Sequence, residues 1–268
     1  MIEPATEYRK LPLRRVVWGS FSLPWEHRGP VFRATAMPLL AVIAFSLAGD
    51  VVELQQSRAA NLTLSLLYLL AVSWLAITIH RLVLLDEPDA RPRFDAASLR
   101  RLAIFFGVAI GIWILYVGLV MLITGGVLNI FNPPRYIPAG TTPDQLPAKL
   151  KLPVSGQWVV NLAAFLAYWI VARVSLMLPA IALDRKPDLL AAWLASRRNG
   201  WRLAIVIGAL PWCLQQLTDL MYRNGASSIE FAILVVLGAA LIIVEVVALS
   251  LSYWELTSPA PPPTPPPS

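Results

Sequence analysis

Residues 102–131 read LAIFFGVAIGIWILYVGLVMLITGGVLNIF, thirty positions without one charged side chain. About 20 apolar residues carry a helix across a hydrocarbon layer of ~30 Å, so this run exceeds one span and must tilt or protrude. Its surroundings have the same character. Of the 268 residues 57% are hydrophobic and 14% charged, and the mean hydropathy is +0.64, against roughly 25% charged in an ordinary soluble domain. The composition therefore excludes a water-soluble globule and predicts an all-α, polytopic membrane protein. The ~10-residue alternation of outer-membrane strands is missing.

Working outward, six spans are expected, at about 34–54, 60–85, 102–130, 158–183, 203–222 and 229–254. They form a membrane domain over 34–256, preceded by a basic interfacial segment (1–33) and followed by a Pro-rich tail (257–268). The first and fifth spans are the shortest uncharged runs, interrupted by Asp50 and Asp219. Sixteen of the 22 Lys and Arg fall in the N-terminal segment and the second and fourth connections. Basic residues beside spans are retained in the cytoplasm, which predicts both termini inside. The first 33 residues hold six basic residues and no apolar core, so no cleavable signal peptide is expected.

The connection after residue 131 carries Pro133, Pro134, Pro138, Pro143, Pro147 and Pro153, which predicts an extended external loop, and the tail has seven prolines among its last eleven residues. An internal echo suggests a parallel repeat. Arg101-Leu102-Ala103-Ile104 with Gly107 recurs as Arg202-Leu203-Ala204-Ile205 with Gly208, and Leu85-Asp86 as Leu183-Asp184. Gly107, Gly111 and Gly118 form a small-residue stripe suited to close helix packing.

Ionisable groups within spans are costly and so mark candidate sites. Arg173 lies about ten residues from the cytoplasmic end of the fourth span and Glu245 about nine from that of the sixth, a similar depth at 1.5 Å per residue. A buried ion pair between them is the expectation, since pairing offsets much of the desolvation. His80 and Arg81 fall where the second span reaches the interface, with Arg81 placed to snorkel toward phosphates. Pro179 and Pro211 should kink the fourth and fifth spans, because each lacks an amide proton and clashes with the carbonyl four residues back, at Ser175 and Ile207.

In the fourth connection Asp188 can cap a short helix whose Leu189, Leu190, Trp193 and Leu194 form an apolar face, with Arg197, Arg198 and Arg202 reaching for headgroups. Arg14 and Arg15 beside Val16, Val17, Trp18, Phe21 and Trp25 repeat the mixture near the N-terminus. Anionic cytoplasmic lipids are the partner such patches attract; protein partners or a homo-oligomer are compatible with them, and nucleic acid is not expected. Two histidines, His27 and His80, and one cysteine, Cys213, cannot build a His/Cys metal centre. No cofactor is called for.

The run Ile79-His80-Arg81-Leu82-Val83-Leu84-Leu85-Asp86-Glu87 resembles the His-Arg-x-x-Leu-x-Gly-Glu run ending a span in a group of uncharacterised proteobacterial inner-membrane proteins. The block from Ala172 to Leu183, with Ala192-Trp193 and Arg198-Asn199-Gly200-Trp201-Arg202-Leu203, resembles a second block of that group. The group is similar to the YciC-type membrane proteins and, more remotely, to the membrane domain of some glycerophosphodiester phosphodiesterases. Asp86 replaces the Gly usual there, and Arg198-Asn199-Gly200 replaces Gly-Asn. The resemblance covers about half the chain and implies a topology and an inner-membrane location, but no reaction.

The absence of HExxH, Gly-x-Ser-x-Gly, a Ser/His constellation and paired aspartates in spans argues against an intramembrane enzyme. Two readings stay open: a non-catalytic protein that organises lipid or partner proteins through its basic cytoplasmic face, and a small solute transporter or channel using the Arg173/Glu245 region.

Overall fold

The computed structural model describes residues 10–54, 58–85, 95–131, 154–209, 212–213, 216–217 and 228–258. The proline-rich connection after residue 131, Asp86, Pro211, Asp219, most of the fifth expected span and the Pro-rich tail from 259 lie outside the described residues. Every regular element among those described is helical: α1 (Leu13–Glu26), α2 (Arg28–Leu54), α3 (Arg58–Leu85), α4 (Ala96–Phe131), α5 (Val154–Val174), α6 (Met177–Ala182), α7 (Leu189–Ala195), α8 (Gly200–Leu203, widening into a π-helical turn at Ala204–Gly208) and α9 (Ser228–Thr257).

Five helical stretches are long and apolar enough to cross a membrane: Arg28–Gly49, Arg58–Leu85, Ala96–Val127, Asn161–Ala182 and Ile229–Thr257. The first starts six residues before the apolar run at Ala34, because α1 is separated from α2 by His27 alone. In α4 none of the most apolar 18-residue window is buried in the chain. Trp113, Ile114, Met121 and Leu122 all face outward there, a surface that water would penalise and lipid would not. Nothing lies within 4 Å of the Cβ positions of Gly107, Gly111 and Gly118, so among the described residues this stripe packs no helix.

Among the described residues the core has two large centres and a small third one at Val31, Ala34 and Leu82. Val42 of α2, Leu75 and Ile79 of α3, Phe105 of α4, Ile181 of α6 and Val247 of α9 make the first. Leu11 and Val16 at the N-terminus, Ala172 and Leu176, Leu203 and Val206, and Leu249 and Tyr253 make the second, which joins both ends of the described chain to the middle. Helix α9 runs through both. The fourth apolar stretch is interrupted at Ser175 and Leu176, between α5 and α6. Pro179 has no N–H for the Ser175 carbonyl, and the Leu178 N–H takes that acceptor instead at 2.9 Å, a tighter turn that ends α5 directly after Arg173.

Candidate functional site: the basic end of the bundle

The ends of α3, α6 and α9, the starts of α4 and α8, and helices α1 and α7 gather at one end of the bundle, joined by side chains of the basic clusters. Arg173 is the deepest of these. It is 7% exposed. Its Nε donates to Ser196 Oγ at 3.0 Å and its Nη2 to the Trp193 carbonyl at 2.9 Å. The guanidinium lies 3.5 Å from the Trp193 ring centroid and 5.3 Å from that of Trp169. The expected pair with Glu245 is not formed. Charge and planar stacking surface are both spent on holding α7 against α5, because α5 stops one residue after Arg173 and leaves its side chain facing the 193–196 turn. Trp169, one helical turn before Arg173, is the signal that sequence reasoning passed over: residues four apart share a helix face. Glu245 has the phenols of Tyr68 and Tyr168 as its electrostatic neighbours, and the Tyr168 ring lies 4.8 Å from that of Tyr116, tilted by 40°.

Asp188 caps α7 by accepting from the Ala191 N–H at 3.0 Å. Ala192 faces the bundle, whereas Leu189, Leu190 and Leu194 are 51–66% exposed. Trp193 is half-buried because it covers Arg173. Arg197 and Arg198 are exposed, with Arg198 at φ 66° in the turn that leads to Asn199. Gly200 begins α8 directly under the Trp169 ring, where an added Cβ would lie 2.6 Å from Nε1.

His80 does not face outward toward headgroups. It is fully buried, with Nδ1 2.7 Å from Ser250 Oγ and its ring beside Phe105. The Ser250 hydroxyl donates to the Val246 carbonyl, so it accepts from His80, which places the imidazole proton on Nδ1. Arg81, one residue on and about 100° around the helix, is turned inward as well. It donates to the Ala182 carbonyl and to Asp184, each at 3.2 Å, rather than snorkelling to phosphates. Arg101 meets the same carboxylate with two bonds of 2.7 Å. This clasp ties the end of α3 and the start of α4 to the end of α6.

Asp184 adopts φ 60°. Its N–H reaches the Ile181 carbonyl and that of Arg185 the Ala180 carbonyl, closing α6 in a Schellman turn whose left-handed position is usually glycine. The Arg101 hydrogen bonds, with Arg81 alongside, hold the Asp184 carboxyl below the usual carboxylate range. A depressed carboxylate pKa contributes stability that is present above the unfolded value of about 3.9 and is lost as pH falls through the folded value. Asp184→Gly keeps the turn and loses the clasp, while Asp184→Ala loses the clasp and adds about 1 kcal/mol of left-handed strain. Thermal unfolding in detergent is therefore expected to rank the parent above Asp184→Gly and that above Asp184→Ala. The gap between parent and Asp184→Gly should shrink as pH is lowered from 6 toward 3; a constant gap would mean that the carboxylate adds nothing.

Helix α1 is fastened at both edges. The Leu11 N–H donates to Asn199 Oδ1 at 2.9 Å, Arg202 Nη1 donates to the Leu11 carbonyl at 2.8 Å, and Arg15 pairs with Glu255 at 3.2 Å. Val16 and Ser20 face the bundle and Gly19 meets Leu251, whereas Trp18 and Trp25 are 74% and 71% exposed, with Phe21 between them. Arg185 donates to the Tyr253 hydroxyl at 3.0 Å. Among the described residues no group of three or more His, Cys, Asp or Glu is placed to hold a metal ion. Comparison with family models, with curated proteins and with solved structures finds no match to this chain.

Proposed function

We propose that the chain is a non-catalytic integral protein of the bacterial inner membrane, of the YciC-like type, with six spans and both termini in the cytoplasm, and that its basic end organises anionic lipids. The observation that carries this reading is the pairing of exposed apolar side chains with arginines on two helices at one end of the bundle. Trp18, Phe21 and Trp25 project from α1, and Leu189, Leu190 and Leu194 from α7. Exposed apolar stripes flanked by cations lie stably in the headgroup layer, where the rings enter the acyl boundary and the guanidiniums meet phosphates. Arg173, fixed between two indoles, serves this end by holding α7 in place.

The test is lipid retention. After exchange into a neutral detergent, the parent should keep phosphatidylglycerol or cardiolipin in preference to phosphatidylcholine. Trp18→Ser, Trp25→Ser and Leu190→Ser combined should lower the retained anionic lipid several-fold with little change in thermal stability, because these side chains are exposed. Equal retention by parent and variant would overturn the reading.

A further inference from the structure

A cavity of about 850 Å³ opens between the start of α1 and the start of α8, lined by Leu11, Arg14, Arg15, Val17, Trp18 and Arg202 among others. Its charged walls come from segments nearly 190 residues apart in sequence. Two of its three guanidiniums are held in advance of any ligand, Arg202 by the Leu11 carbonyl and Arg15 by Glu255. Arg14 is exposed and completes the cluster. The backbone adds to the positive field. Val16 makes the first α-helical bond, to Pro12, and Pro12 offers no side-chain oxygen to the amides of residues 13–15. The lining combines these guanidiniums with the apolar Val17 and Trp18, and Phe21, three residues beyond Trp18 on α1, is exposed as well. A small inorganic anion would use only the charged part.

We propose that this cavity binds the phosphate of an anionic glycerophospholipid, with Arg14, Arg15 and Arg202 around the phosphate and Trp18 and Val17 against the glycerol and acyl stems. Guanidiniums suit this task because their planar donor forks match phosphate oxygens. Glu255 pairs with Arg15, and no carboxylate is among the lining residues, so the cluster stays cationic. The site rests on the lipid-organising reading above and narrows it from a charged surface to one place.

Binding is measured on the full chain in neutral detergent, with dihexanoyl phosphatidylglycerol, dihexanoyl phosphatidylcholine and inorganic phosphate as probes and with the ligand-induced rise in Tm and tryptophan quenching as readouts. The parent should bind the phosphatidylglycerol probe at least tenfold more tightly than either other probe. Arg14→Gln with Arg202→Gln should weaken that binding at least tenfold. Arg33→Gln with Arg100→Gln, which removes two charges without touching the cavity, should stay within threefold of the parent. Arg14→Gln alone guards against misfolding, since Arg202 also fastens Leu11, and should still weaken binding several-fold. Equal loss in the two double variants would overturn the cavity while leaving the charged-surface reading intact. Inorganic phosphate binding as tightly as the lipid probe would assign the site to a soluble anion and overturn the lipid. A parent with no preference for phosphatidylglycerol would overturn both readings.

Discussion

Arg173→Met is expected to lower stability by about 3–4 kcal/mol, the largest effect of any single change at the basic end. A desolvated cation over an indole contributes about 2 kcal/mol, and a hydrogen bond from a charged donor about 1.5–3 kcal/mol. Arg173 makes two such bonds and lies over two rings, and methionine keeps only part of the packing. Thermal unfolding in detergent measures the loss, and proteolysis within 186–198 should accelerate as α7 loosens. Because Arg173 and Glu245 do not meet, Arg173→Met and Glu245→Leu should add to within about 0.5 kcal/mol. A double variant that regains the stability lost by either single change would mean that the two charges are paired after all.

Gly200→Ala is the second large expectation. The new methyl carbon would stand 2.6 Å from Trp169 Nε1, 3.0 Å from its Cε2 and 3.2 Å from Arg173 Cδ. The indole cannot slide away freely, because the Arg173 guanidinium lies over it. Overpacking of this kind costs about 1–3 kcal/mol, and here it also tilts the ring on which the cation rests. Trp169→Phe removes the clashing nitrogen, so the pair Trp169→Phe with Gly200→Ala should be less destabilised than the sum of the two single changes. Strict additivity would place the cost of Gly200→Ala elsewhere.

Much of the helical layout was legible in the sequence, and the reason is the length of its uncharged runs. A 20-residue apolar stretch has one cheap solution in a bilayer, so α3, α4 and α9 follow from composition alone. The stretch over residues 203–222 is uncharged only up to Asp219, and the longest element described in it is the π-helical turn at Ala204–Gly208 that continues α8. The site was less legible. Counting residues from a span's end gives depth but not the direction in which a side chain points, which is how Arg173 and Glu245 came to be matched. Depth also misled for His80, which occupies the last turns of its helix yet faces Ser250 in the core. The Trp169/Arg173 spacing was readable, whereas Trp193 and Ser196 as partners depend on how the 184–199 connection folds back. With Arg173 committed to α7, a solute pathway keeps Glu245 alone of its two supporting charges.

The fastening of α1 has a consequence for biogenesis. Helix α1 and the residues leading into it dock on surfaces made of Asn199, Arg202, Leu251 and Glu255, all of which are synthesised after α2 to α5. Until those residues emerge, α1 must wait with Val16 and Leu13 as well as its tryptophans unpartnered, and a lipid surface is the one medium at hand that accommodates both faces. Closure of α1 onto the end of α9 therefore waits until α9 has been made, a latch set late in assembly.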